Sequence, residues 1–173
     1  MKKLVFLIAF FTLACSSVFA QMTKEQVITE WKRAKVYTKA YLDAMPAADY
    51  TFKATPEIRT FAEQMLHLAD ANYFFLSTVS GKPSPLGKAS AEKTIAQTKE
   101  ATTKAVMESY DFCIGAIESV PVADMQQIVT AEGQKVPKAV LIAKAFEHQT
   151  HHRGQTTIYL RLKGIKPPNE MLF

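Results

Sequence analysis

The chain has 173 residues, of which six are glycine, eight are proline and 48% are hydrophobic, with eleven phenylalanines. That suits one globular domain with a substantial apolar core and excludes a collagen-like or low-complexity chain. Its 21 basic residues against 16 acidic ones give a formal charge of +5, scattered along the chain, which argues against a nucleic-acid-binding surface.

Lys2 and Lys3 precede an apolar run, Leu4 to Ala14, and Val18-Phe19-Ala20 then offers side chains a signal peptidase reads. We read residues 1–20 as a secretory signal, cleaved to leave a mature domain of residues 21–173. The run is too short for a comfortable membrane span. The expectation is therefore a periplasmic or secreted protein with no stable membrane insertion after cleavage. Leu13-Ala14-Cys15 hints at a lipoprotein box, but Thr12 stands where leucine is usually wanted, so plain export ranks ahead of lipid anchoring. Cleavage removes two lysines and no acid, changing 21 against 16 to 19 against 16, or +3. It leaves a single cysteine, Cys113, which cannot form an internal disulfide and reads as a small buried hydrophobe between Phe112 and Ile114.

Thr23-Lys24-Glu25-Gln26 fits a capping box. It opens a helix whose apolar positions Val27, Trp31, Ala34, Tyr37 and Tyr41 recur near every 3.6 residues, to about Ala44. Pro46 and Asp49 mark a loop. Thr55-Pro56-Glu57 reads as the start of a second helix: a capping hydroxyl, a proline at the first helical position, an acid in the first turn. Its stripe is Ile58, Phe61-Ala62, Met65, Leu68-Ala69, Asn72 and Leu76, and on that wheel His67 faces away from the stripe.

The stretch from Ser80 to Gly87 carries two glycines and two prolines and is a loop. A third helix is expected from about Ala91 to Ser119, ended by Pro121. Asp124 to Lys135 reads as a connector, briefly extended at Ile128-Val129-Thr130 but without a strand that the pattern supports. Val136-Pro137 opens a last helix, which Lys163 and Gly164 close. Four helices of this length make an all-α four-helix bundle.

Three of the four histidines fall together in the last helix, in His148-Gln149-Thr150-His151-His152. Positions four apart lie nearly in line on a helix, so His148 and His152 form a pair that can bind one metal ion through ring nitrogens. They belong to a stripe with Leu141, Ala145, Gln155 and Tyr159. His151 leans towards Lys144 and Glu147 and stays outside the pair. A catalytic site needs a third ligand, and His67 is the only other histidine. The wheel favours an exposed His67; a second face of its helix must be covered for it to reach a metal. Gly154 is expected to allow a close helix approach, and Arg153 and Arg161 to lie at the surface or in interhelical ion pairs.

His148-xxx-His152-Arg153-Gly154-Gln155, then Tyr159-Leu160-Arg161-xx-Gly164, resembles the C-terminal signature of DinB-like proteins, four-helix bundle metalloproteins related to metal-dependent bacterial thiol transferases. Thr55 to Phe61, followed by His67 to Asn72, is similar to that family's second-helix motif. The resemblance spans Met22 to Pro168. It implies that His67, His148 and His152 bind one divalent metal, usually zinc or nickel, and that the chain can form a homodimer. The secretory signal departs from the cytoplasmic relatives and weighs against their thiol-transferase role.

Three neutral imidazoles leave a metal its full double charge, which prepares a water or thiol nucleophile near neutral pH. Gln149, Thr150 and His151 between the paired histidines exclude HExxH, so the general base of that protease class is missing. Glu63 and Asp70, one turn either side of His67, are candidates to orient an imidazole. Gln155 and Tyr159 continue the ligand stripe, with a place at the open position or in the core. The expectation is a metal-dependent hydrolase or thiol transferase acting on a small molecule; the alternative is a non-catalytic metal- or ligand-binding bundle.

Overall fold

The computed structural model describes residues 22–173; the expected signal peptide, its expected cleavage after Ala20 and the Cys15 alternative lie outside the described residues. Helix α1 (Lys24–Ala44) begins at the expected capping box: the Thr23 hydroxyl accepts the Gln26 amide, and the Gln26 side chain accepts the Thr23 amide. Its inner face buries Trp31, Ala34, Thr38, Tyr41 and Leu42. Trp31 meets the edges of Tyr110 and Phe146 at centroid distances of 5.9 and 5.6 Å, joining three helices at the centre of the core.

Helix α2 (Phe61–Ser80) starts later than Thr55-Pro56-Glu57 suggests. Thr60 and Glu63 form a reciprocal capping box, and the next two amides are taken by loop carbonyls, Phe61 N–H by Phe52 O and Ala62 N–H by Tyr50 O. Those bonds satisfy the orphan donors of the first turn. The upstream Thr-Pro-Glu instead forms a turn, with Ile58 N–H bonded to Thr55 O.

The expected third helix is broken in two. A single turn, α3 (Ala91–Thr94), is followed by an extended step at Ile95 and a fresh start at Thr98, which caps α4 (Lys99–Ser119) through the Ala101 amide. Gln97, in the break, bonds both Thr60 and Glu63 of the α2 cap. The break therefore lets this segment tie down the start of the neighbouring helix. Thr102, Val106, Tyr110, Cys113 and Ile117 are buried as the periodicity requires.

A β-hairpin stands where no strand was expected. Strands β1 (Ile128–Ala131) and β2 (Gln134–Pro137) pair antiparallel, Ala131 opposite Gln134. The two turn residues, Glu132 and Gly133, both have positive φ, 48° and 76°, the geometry that matches hairpin twist. Helix α5 (Lys138–Leu162) follows directly; its first amides bond back to Gln127 O and Met125 O. Gly164 ends the chain's last helical turn with a φ of 71°.

The four long helices make the all-α bundle, with the hairpin against α2 and α5. No helix among the described residues is long and apolar enough to cross a membrane. Two expectations in α5 fail. Gly154 faces solvent, and a side chain there would meet nothing within 4 Å, so it admits no close helix. Arg153 is buried at 6% exposure, stacked 4.4 Å over the Tyr37 ring and donating to Gln149 Oε1. The ring face and the amide stand in for a carboxylate.

Candidate metal centre

Helix α2 is buried on more than its predicted stripe: Gln64, Leu66 and Tyr73 are also enclosed. Leu66 packs with Ala91 and Ala105, beneath Leu86 and Ile95, so the loop and α3 cover the second face that His67 needs. Chain burial there holds His67 between α3 and α5, with 29% of its side chain exposed.

His67, His148 and His152 come together, each offering a ring nitrogen within 4.8 Å of the others. Their ring centroids are 4.6 Å apart for His67 and His152, 4.2 Å for His148 and His152, and 5.3 Å for His67 and His148. His151 is exposed and bonds Gln155 rather than joining this group.

All three imidazoles are held neutral. Burial is the main cause for each; repulsion from neighbouring histidines adds to it at His148 and His152, and the Arg59 charge at His67. His148 is pushed down to about 4 and His152 to about 3; His67 is lowered despite the opposing pull of Glu92. Neutral rings keep the lone pairs a metal requires. The Nδ1 of His148 is buried and has no hydrogen-bond partner among the described residues. Such an orphan is costly in a buried site and fits a donor set completed by a cation.

The residues behind the rings differ from those expected. Glu63 is a cap, accepting from Thr60 and Gln97, and these bonds hold its carboxyl below the ordinary value. Asp70 accepts from the Ser90 hydroxyl and the Ala91 and Glu92 amides at 2.6, 2.5 and 3.1 Å. It anchors α3, and α3 delivers the residue that sequence reasoning missed: Glu92, whose carboxylate lies 3.3 Å from His67 Nδ1. Arg59 Nη2 is also 3.3 Å from that nitrogen, and its Nε is 3.1 Å from Glu92. One nitrogen cannot donate to Glu92 and accept from Arg59 together. We assign the Nδ1–H to Glu92, because Arg59 then keeps its carboxylate partner and His67 keeps Nε2 as its donor, the usual arrangement behind a metal-binding histidine.

Gln64, also missed, is 2% exposed and its side-chain nitrogen lies 2.9 Å from His152 Nδ1. An amide offers a donor on one side and an acceptor on the other, so Gln64 can serve either tautomer. Gln64 touches the side chain of Gln155 as well. Tyr159 is mostly buried against Phe52 and Phe61 and donates to Arg59 O at 2.8 Å, while one edge lines the cleft it shares with Gln64 and Gln155. Spacing carried no signal for Glu92 or Gln64; the Glu92 carboxylate becomes relevant only when α3 packs on α2.

Three clefts lie around this cluster and its neighbours. His148 lines one of about 470 Å³ under the hairpin, His67 one of about 480 Å³ beside Asp70 and Ser90, and Arg59, Gln64, Glu92 and Gln155 one of about 680 Å³.

The DinB family model matches residues 19–171. A DinB-like protein from Bacillus cereus superposes with a TM-score of 0.75 at 20% identity, over 84% of this chain and 96% of that one. A DinB-like protein from Bacillus subtilis does so with a TM-score of 0.66 at 17% identity, over 86% and 96%. At these identities the likeness is one of fold. An uncharacterized protein of Bacillus subtilis, YrdA, is 36% identical over 44 residues, 25% of this chain and 26% of that protein; the match spans about a quarter of that relative.

Proposed function

The chain belongs to the DinB family, and we propose that it holds one divalent metal ion, zinc or nickel, on His67, His148 and His152 and uses it in hydrolysis or thiol transfer on a small molecule. The observation that carries this reading is the convergence of three neutral imidazoles from two helices within 4.8 Å. We further propose that residues 1–20 export the protein, and that it acts as a monomer or homodimer outside the cytoplasm.

A divalent ion held by these three neutral ligands would supply Lewis acidity, lowering the pKa of a bound water towards ~7 or holding a thiol as thiolate. The chain's own residues set up the rest. Glu92 keeps the His67 proton at Nδ1, and Gln64 orients His152 through its Nδ1. Arg59, 39% exposed beside Glu92, offers a cation to a carboxylate or developing oxyanion in its cleft. HExxH chemistry is absent, and Glu92 is the carboxylate that stands nearest the site.

The test is the mature chain from Gln21, made without an affinity tag or chelator and analysed by elemental mass spectrometry. About one zinc or nickel per chain, lost in His67→Ala, is the expected result. No metal after reconstitution would overturn the reading. Zinc-dependent turnover of p-nitrophenyl esters, or of a thiol with an electrophile, then separates an enzyme from a bundle that only carries metal.

A further inference from the structure

The cleft of about 470 Å³ under the hairpin is walled by Ala131 and Val136 of β1 and β2, by Val140 and Leu141 of α5, and by Phe75 of α2. His148 lines it too, with its ring 5.8 Å from that of Phe75. One residue thus belongs to both the cleft and the histidine cluster. The other two clefts are lined by Asp70, Ser90 and Glu92, or by Arg59, Gln64 and Gln155, and are polar by comparison. The charge at the hairpin cleft is also spoken for. Its cationic side chain, Lys144, is 2.7 Å from Glu147, and Glu132 adds another acid at the mouth. An anionic ligand would find no free lysine or arginine on these walls.

We propose that the hairpin cleft binds an uncharged alkyl or aryl arm of the substrate, and that β1 and β2 select for that arm while the liganding end lies at the histidines. This rests on the metal-site reading for the placement of the liganding end, but not for the cleft's taste for an apolar group. The volume lies in the range of small-molecule sites. Apolar walls reward each methylene they bury by roughly a factor of four in affinity. The four-residue strands pair only with each other and leave Ile128 exposed, while Ala131 is buried in the core and Val129 and Val136 pack against it.

The experiment has two stages. Metal-free protein is first titrated with 1-hexanol and followed by amide chemical shifts. Changes concentrated at Ala131, Val136, Leu141 and Lys144, and abolished in Val136→Asp, are expected. Changes centred instead on the separate apolar groove at Val27, Trp31 and Phe146, or none at all, would overturn the proposal whatever the metal does. Zinc-loaded protein is then titrated calorimetrically with methyl-, butyl- and hexyl-hydroxamate. Affinity should climb about threefold to fourfold per methylene. In Val136→Asp, or in Gln134→Asp should the first variant fail to fold, the climb should vanish while methyl-hydroxamate binds as before. A flat series in the native chain would overturn the link to the histidines. Failure to load zinc would sink the metal reading and leave the first stage to decide the cleft.

Discussion

The carboxylate of Glu92 lies 3.3 Å from Nδ1 of His67, and it is held there by Asp70, which accepts the Glu92 amide from one turn further along the histidine's own helix. The helix that carries His67 therefore also carries the clamp for the carboxylate beside it. Glu92→Gln keeps the shape and removes the charge. It should weaken zinc binding by about 10–100-fold with an unchanged far-UV spectrum, measured by competition with a chromophoric chelator. An unchanged Kd would mean that the carboxylate does not steer His67.

Asp70→Ala removes three hydrogen bonds to the start of α3. Loss of a helix cap costs about 0.5–2 kcal/mol, and denaturant unfolding should show it. Zinc affinity should fall too, because Glu92 loses its anchor. If the two act in series, the pair Asp70→Ala with Glu92→Gln should bind zinc no worse than Glu92→Gln alone. Additive losses would show that Asp70 acts on the site by some other route.

His152→Ala should abolish stoichiometric metal while the bundle stays folded, and His151→Ala should leave it intact, since His151 is exposed and bonded to Gln155. Free zinc at a hundred times its Kd should raise the stability of the native chain by about 2.7 kcal/mol. Thermal melts with and without chelator should retain that increment in His151→Ala and lose it in His152→Ala.

Acid should destabilise the metal-free protein over a defined window. The folded-state values of His148 and His152 are depressed from 6.5 to about 4 and about 3. Between these values and 6.5 the unfolded chain binds more protons than the folded one, so stability rises with pH across the window and falls as pH is lowered through it. Melting temperature should be flat near pH 7–8 and drop between pH 6.5 and 4. Replacing both histidines with glutamine should flatten that part of the profile; a profile unaltered by the replacement would place the titration elsewhere.

Tyr110 links three helices: its hydroxyl is 2.7 Å from Thr38 Oγ1 and donates to Gln149 Oε1 at 2.7 Å. Burial pushes its phenol well above the usual range, against the opposing Thr38 hydrogen bond and the Arg153 charge, so it is a neutral donor throughout. Tyr110→Phe keeps the ring packing against Trp31 and removes one hydrogen bond from each of two buried partners, Thr38 and Gln149. It should cost about 1–3 kcal/mol in urea unfolding, with zinc affinity affected far less, because Gln149 still receives Arg153.

Much of the architecture was legible because its signals are local. The Thr23–Gln26 capping box, the periodicity of α1 and α4, and the glycine that closes α5 each depend on residues within a turn or two of one another. The pairing of His148 with His152 belongs to the same class. Errors arose where two local signals competed. Thr55 was expected to cap the second helix, but the cap is Thr60, whose following amides Phe61 and Ala62 are taken by the Phe52 and Tyr50 carbonyls. The periodicity from Ile95 to Thr102 suggested a continuous helix, but Thr98 caps and Gln97 bonds across to α2. Glu132-Gly133 closed a hairpin whose strands are too short for an alternating pattern to register.

By itself the sequence determined the helical class, the family resemblance, and a helix face with two imidazoles one turn apart, since each follows from spacing along the backbone. Only the tertiary structure decided the role open to His67. Its own wheel points it away from the core, and it turns inward because residues from Leu86 to Ile95 pack over Leu66 and give α2 a second buried face. The same packing brings Glu92 to His67, and the bundle brings Gln64 to His152. Those contacts join residues far apart in the chain, and no period in the sequence encodes a meeting that depends on how whole elements dock.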